Sequence, residues 1–225
     1  MSLTSELAAF RAEFMGAAPP EIRDAMGRAD LELAASGLTE RALKAGDLAP
    51  DFELPGVDGR TIRLSTLLRD GPVVVSFYRG GWCPYCNLEL RALQSVLPQV
   101  QALGGHLVAI SPQTPDESLS TAETNALAFP VLSDVGSDAA RSFGIAFDLA
   151  VELRPIYARF GHAQPDRNGD DSWVLPIPAT YVVGQKGRIA LAFVDIDYRN
   201  RLDPTDVVQA LQTLCSHVAR GCPTS

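Results

Sequence analysis

Val73-Val74-Val75-Ser76-Phe77-Tyr78-Arg79-Gly80-Gly81-Trp82-Cys83-Pro84-Tyr85-Cys86 is the stretch on which the fold turns. Its apolar half has the length of a buried strand, its paired glycines turn the chain, and its C-x-x-C opens a helix predicted from Pro84 to about Leu103. A cysteine at a helix start meets unpaired N–H groups and the positive end of the helix dipole, which stabilise a thiolate near neutral pH. The second cysteine lies one turn on, where a disulfide closes without moving the backbone far.

Downstream, strands are predicted at His106 to Ser111 and Val131 to Ser133, with a helix over 115–127 between them. Apolar strands alternating with helices imply parallel pairing through right-handed crossovers. Residues 136–176 interrupt the alternation with an aromatic helical piece (Leu153, Ile156, Tyr157, Phe160) and a polar loop, read as an insertion over one sheet face. Strands at Thr180 to Val183 and Arg188 to Val194 flank a four-residue connection, which predicts an antiparallel hairpin, and Asp203-Pro204 caps and opens the last helix. Upstream, Asp58-Gly59 reads as a hairpin turn between short strands. Residues 1–45 read as helical, with Leu7, Phe10 and Phe14 on one face and Ile22, Met26, Ala29 and Leu33 on another, Pro20 opening a helix and Gly37 closing it. The expected organisation is a helical extension over 1–45 and one α/β domain over 46–225.

Composition narrows the function. The chain has 225 residues, 46% hydrophobic and 20% charged, with 27 acidic against 19 basic side chains and a net charge of −8, which opposes binding to a phosphate backbone. Its longest apolar run falls far short of the roughly 20 residues that cross a bilayer. Glu6, Arg11 and Glu13 break up the N-terminal apolar residues, against a secretory signal, so the expected compartment is the cytoplasm. In such a compartment a close cysteine pair is redox-active or metal-binding more often than structural. Zinc needs a second ligand pair, but Cys215 and Cys222 are remote in sequence and His106 and His162 stand alone. His217 points away from Cys215 on a helix, and a c-type haem site needs a histidine where Asn87 stands. No metal or other cofactor is expected, and the motif reads as a thiol redox site.

The chain resembles the thioredoxin fold, and within it the peroxiredoxin-like proteins of the alkyl hydroperoxide reductase and thiol-specific antioxidant type. The residues that carry this are Gly46 to Leu54, Val73 to Glu89, Phe129-Pro130-Val131-Leu132-Ser133-Asp134 and Pro178-Ala179-Thr180-Tyr181-Val182-Val183. The N-terminal extension, Asp170-Asp171-Ser172-Trp173 and Asp197-Tyr198-Arg199 resemble a peroxiredoxin-like subgroup. The implied fold is a mixed sheet flanked by helices. The family pattern Pro-x-x-x-Thr-x-x-Cys places Arg79 at the Pro, Cys83 at the Thr and Cys86 at the peroxidatic cysteine, and Pro178 stands where the family has an arginine. Pro178 resembles instead the cis-proline of thioredoxin-type oxidoreductases, which faces the C-x-x-C and helps dock an extended substrate, while Trp82 to Cys86 resembles a thioredoxin or glutaredoxin active site. Glu89 fits both.

The resemblance implies a thiol-dependent peroxidase with Cys83, Cys86 and Arg79 as catalytic residues and Trp82, Tyr85 and Pro178 as substrate contacts. Phe77 and Ile177 are further candidates for an apolar rim, although Phe77 also reads as plain core. Dithiol-disulfide exchange and a redox-sensing binding module stay open. A peroxidase would take electrons from thioredoxin, glutaredoxin or a low-molecular-weight thiol, and a homodimer is one expectation for its assembly. The peroxiredoxin frame makes Cys86 the sulfur that takes the oxygen and Cys83 its resolver, whereas thioredoxin-type chemistry attacks through Cys83. The first assignment is the one expected here. Cys215 reads as a small core residue, Cys222 as a remote resolving candidate, and Arg199 as one half of an ion pair with Asp197.

Overall fold

The computed structural model describes residues 2–220. Helices α1 (Leu3–Ala17), α2 (Pro20–Ala35) and α3 (Leu38–Arg41) come first, with Gly37 at φ 71° between α2 and α3, a left-handed position that glycine takes without penalty. The hairpin of β1 (Glu53–Pro55) and β2 (Thr61–Arg63) turns at Asp58-Gly59 as predicted and leads into α4 (Leu64–Asp70). The alternating core follows as β3 (Val73–Phe77), α5 (Pro84–Ala102), β4 (His106–Ser111), α6 (Pro115–Thr124) and β5 (Val131–Ser133). Residues 136–176 hold α7 (Asp138–Ser142), β6 (Ala146–Asp148), a 3₁₀ turn at Val151–Leu153, α8 (Arg154–Arg159), α9 (Gln164–Asn168) and β7 (Val174–Pro176). The hairpin of β8 (Ala179–Val183) and β9 (Ile189–Val194) and helix α10 (Pro204–Arg220) complete the described chain.

The central sheet has the order β5-β4-β3-β8-β9. β3 pairs parallel with β4, and β4 with β5, while β8 runs antiparallel to both β3 and β9. Every residue of β3 is buried because the sheet is covered on both faces. Its side chains alternate accordingly: Val74 and Tyr78 face a core shared with α1, α5 and α10, whereas Val73, Val75 and Phe77 face one shared with α3, α4 and α7. Phe77 packs against Phe143 and Tyr181 at ring distances of 5.0 and 6.3 Å, and Ile177 lies in the same core, so both are packing residues and not a substrate rim.

Two expectations need correction. The start of the insertion (Ala139, Ala140, Phe143, Ile145) does cover a sheet face. The remainder closes on itself through the antiparallel β6–β7 pair and packs against α2, with Leu149, Leu153 and Tyr157 meeting Ala25 and Ala29. Pro178 is trans, since the described residues contain no cis peptide. The chain runs extended from β7 into β8, with Ile177 N–H donating to Ile145 and Ala179 already in register with Phe77. An extended run accommodates a trans X-Pro bond and leaves no turn for a cis one to fill. The docking argument built on a cis-proline therefore falls away.

Candidate active site

The reactive loop is set by backbone geometry that only small residues allow. Tyr78 still pairs with the sheet, its N–H donating to Ile110 O. Gly80 then takes φ 149°, and a Cβ on Gly81 would stand 2.3 Å from Thr121 Oγ1. Gln113 Oε1 accepts from Gly81 N–H at 2.7 Å, and Asn87 Nδ2 donates to Gly81 O at 2.7 Å, with Asn125 holding Asn87 in turn. Cys83 is the N-cap of α5 and Pro84 its first residue, where the missing N–H costs nothing, so Cys86 falls in the first turn.

Cys83 and Cys86 are both free thiols and both buried, 1% and 0% exposed. They differ in what they face. Cys83 lines a cavity of about 360 Å³ together with Arg79, Trp82, Tyr85, Tyr157 and Tyr198, and Cys86 does not. Burial pushes the Cys83 thiol up, but the Cys86 S–H hydrogen bond and the charges of Arg79 and Arg201 outweigh it and bring Cys83 down to about 6. Burial and the neighbouring Cys83 sulfur hold the Cys86 thiol well above the ordinary range. The surroundings thus favour a thiolate on Cys83, the sulfur that faces the cavity, over one on Cys86.

Arg79 is 3% exposed and forms no ion pair among the described residues. Its guanidinium lies over the rings of Tyr198, Trp82 and Tyr157 at 4.3, 5.0 and 5.5 Å, and its Nη2 donates to Tyr157 Oη at 2.6 Å. A buried cation without a carboxylate in contact is costly unless negative charge lies near, and Asp30 and, when ionised, the Cys83 thiol supply it. Trp82 also stacks on His162 at 5.2 Å, and Tyr85 meets Phe10 and Tyr198 edge-on at 5.0 and 5.8 Å.

Arg201 was invisible to sequence reasoning, which weighed only Arg199 in that segment. Arg201 Nη2 donates to Cys86 Sγ at 3.5 Å, and its Nε donates to Glu89 Oε2 at 2.5 Å, both side chains being almost wholly buried. Thr180 holds the other oxygen of Glu89 at 3.2 Å, and burial pushes that carboxyl up to about 7 in spite of Arg201. The only sequence signal was Glu89 itself, a carboxylate on the buried face of α5 that requires a cation from elsewhere. Arg199 takes its expected fate, paired with Asp197 and with Asp30 of α2. Pro178 is buried at the head of β8, Cys215 donates to Leu103 O at 3.5 Å on the half-buried face of α10, and Cys222 lies outside the described residues. Among the described residues no three His, Cys, Asp or Glu side chains group as metal ligands, and no helix is long and apolar enough to cross a membrane.

The model of the AhpC/TSA family matches residues 45–192. A putative peroxiredoxin of Mycobacterium tuberculosis is 34% identical over 114 residues, covering 51% of this chain and 74% of its own. A chloroplastic peroxiredoxin Q of Populus jackii is 28% identical over 173 residues, covering 75% and 68%. Among solved structures, the peroxidoxin BcpB of M. tuberculosis superposes with a TM-score of 0.60 at 24% identity, over 76% of this chain and 98% of its own. The matched region begins after α1, α2 and α3.

Proposed function

Since the chain belongs to the AhpC/TSA family, we propose that it reduces hydroperoxides through a Cys83/Cys86 dithiol-disulfide cycle in which Cys83, and not Cys86, takes the oxygen. The observation that carries this reading is the different placement of two buried sulfurs: Cys83 faces a cavity that the Arg79 guanidinium also lines, while Cys86 does not line it and accepts from Arg201. This reverses the assignment expected from the peroxiredoxin frame. Family membership supports the peroxidase class, and the geometry supports the choice of sulfur.

The Cys83 thiolate attacks one oxygen of R–O–O–H. The S–O bond forms as O–O breaks, sulfur is oxidised to the sulfenic acid, and the departing alkoxide takes a proton to leave as R–OH. Arg79, which holds its charge throughout, supplies fixed donors where negative charge develops on the oxygens. The Cys86 sulfur then attacks Cys83–S–OH, giving the disulfide and water, with Arg201 stabilising Cys86 as it loses its proton. Two electrons and two protons from an external dithiol or low-molecular-weight thiol restore the pair. Of the expected substrate contacts, Trp82 and Tyr85 line the cavity and Pro178 does not.

Exchange with protein disulfides fits less well, because it depends on access and neither sulfur is open to a second polypeptide in this state. Steady-state consumption of hydrogen peroxide and cumene hydroperoxide with dithiothreitol, thioredoxin or glutathione as donor tests the reading. Turnover far above that of a free thiol, with insulin disulfides left intact, is the expected result. Insulin reduction without peroxide consumption would reassign the site to exchange.

A further inference from the structure

The cavity at Cys83 is not walled by the family domain alone. Its inner wall consists of Arg79, Trp82 and Tyr85, and its outer wall includes Phe10 and Phe14 of α1 and Met26 of α2. Those three side chains lie before residue 45, where the family match begins. They are large and apolar, they are only partly buried, and they line the cavity that Cys83 also lines. The two helices are anchored beside the site. Leu3 and Leu7 of α1 sit in the same core as Cys83 and Cys86, Phe10 meets the Tyr85 ring edge-on at 5.0 Å, and ion pairs link Arg11 to Asp197 and Asp30 to Arg199.

Hydrogen peroxide has no apolar surface to offer such a room. A cavity of about 360 Å³ lined by the Cys83 sulfur, the Arg79 guanidinium, His162 and three tyrosines, and otherwise by apolar side chains, suits a ligand with one polar reacting end and an apolar body. We propose that α1 and α2 belong to the active site, with Phe10, Phe14 and Met26 acting as specificity-determining residues that favour hydroperoxides bearing an apolar body over hydrogen peroxide. This rests on the peroxidase reading above. The body lies against the three side chains while its O–O group reaches Cys83, so the selection acts on binding of the apolar part and leaves the chemistry of the sulfurs unaltered.

The test is rapid mixing of the reduced full chain with hydrogen peroxide or cumene hydroperoxide, comparing the two rate constants for Cys83 oxidation. The wild-type ratio should favour cumene hydroperoxide by about tenfold or more, and Phe14→Ala or Met26→Ala should lower that ratio by about tenfold. Leu31→Ala, on the outer face of α2 and 72% exposed, should leave it unmoved. As a readout independent of turnover, cumyl alcohol should slow alkylation of Cys83 in the wild type and do so less in Phe14→Ala. Circular dichroism of each variant shows whether the fold is kept, and Phe14→Leu serves as the milder replacement. A wild-type ratio near one, or a ratio the cavity variants leave unchanged, overturns the inference while the peroxidase reading stands. If neither peroxide outpaces a free thiol, both fall; absence of protection by cumyl alcohol overturns the inference by itself.

Discussion

Cys83 and Cys86 differ by three positions, yet their surroundings push their thiols in opposite directions. Arg79 and the Cys86 S–H lower one thiol, while burial and its neighbour raise the other. The alkylation rate of Cys83, followed by peptide mass spectrometry, should therefore rise with pH through a midpoint near 6, because the thiolate fraction is lost as pH falls through that value. Arg79→Met keeps much of the bulk and removes the charge, so the midpoint should move up by about 1–3 units. A midpoint in the wild type at about 8.5, the ordinary thiol value, would refute the electrostatic account. Arg201 makes a second residue-level prediction. Truncating it to Ala leaves Glu89 buried without its cation and should cost about 3–5 kcal/mol in denaturant unfolding, whereas the double replacement Arg201→Met with Glu89→Leu should recover most of that loss. An Arg201→Ala protein of unchanged stability would show that the pair is not buried in solution.

The β3–loop–α5 unit is where local sequence and tertiary packing agree most closely. Gly81→Ala would press a methyl group into Thr121, and the remedy is a shift of the loop that carries Trp82 and Cys83; a loss of about 1–3 kcal/mol in thermal unfolding is expected. A wild-type melting temperature would mean the loop has slack that the packing here denies it. That unit was also the most legible part of the sequence, since a buried strand, a glycine turn, a proline at the first helical position and a C-x-x-C each carry a local signal. The same holds for the β4 boundaries, for the hairpin turn at Asp58-Gly59 and for the side-chain cap at Asp203, which accepts from Thr205 N–H at 3.0 Å. The β6–β7 pair was not legible, because three residues per strand are too few for a period-2 pattern to stand out, and 25 residues of helix and loop, 149–173, lie between them. Nor was the Arg79 cage, whose rings come from Trp82 beside it but also from Tyr157 and Tyr198 far along the chain. Arg201 reaches Cys86 from the β9–α10 connection, a placement that only the closed fold creates. Pro178 shows the opposite failure: a local likeness suggested a cis bond that the extended course from β7 to β8 does not require.

At the scale of the whole molecule, the helical extension and the α/β domain share their cores. Leu3, Leu7 and Ile22 are buried, the first two among residues of the reactive helix, and Ala25 and Ala29 pack on the insertion. Burying a Leu or Ile is worth about 1.5–3 kcal/mol as an upper estimate, so we propose that residues 46–225 form the catalytic domain but depend on 1–45 to cover it. Removing residues 1–44 should lower the melting temperature and produce binding of a dye for exposed apolar surface; a truncated chain as stable and as dye-silent as the full one would separate the two parts. The redox cycle proposed here draws on all these layers, since the sheet aims the loop, Arg79 lines the cavity with Cys83, the connection before α10 brings Arg201 to Cys86, and the extension supplies part of the cavity wall. The central claim is that Cys83 takes the oxygen and Cys86 resolves it. It is tested most directly by mixing reduced Cys86→Ser and Cys83→Ser proteins with one equivalent of hydroperoxide in the presence of dimedone and locating the adduct by peptide mass spectrometry. The account predicts a rapid adduct on Cys83 in Cys86→Ser and reaction no faster than a free thiol in Cys83→Ser; a rapid adduct on Cys86 in Cys83→Ser, with Cys83 unmodified in its counterpart, would contradict it.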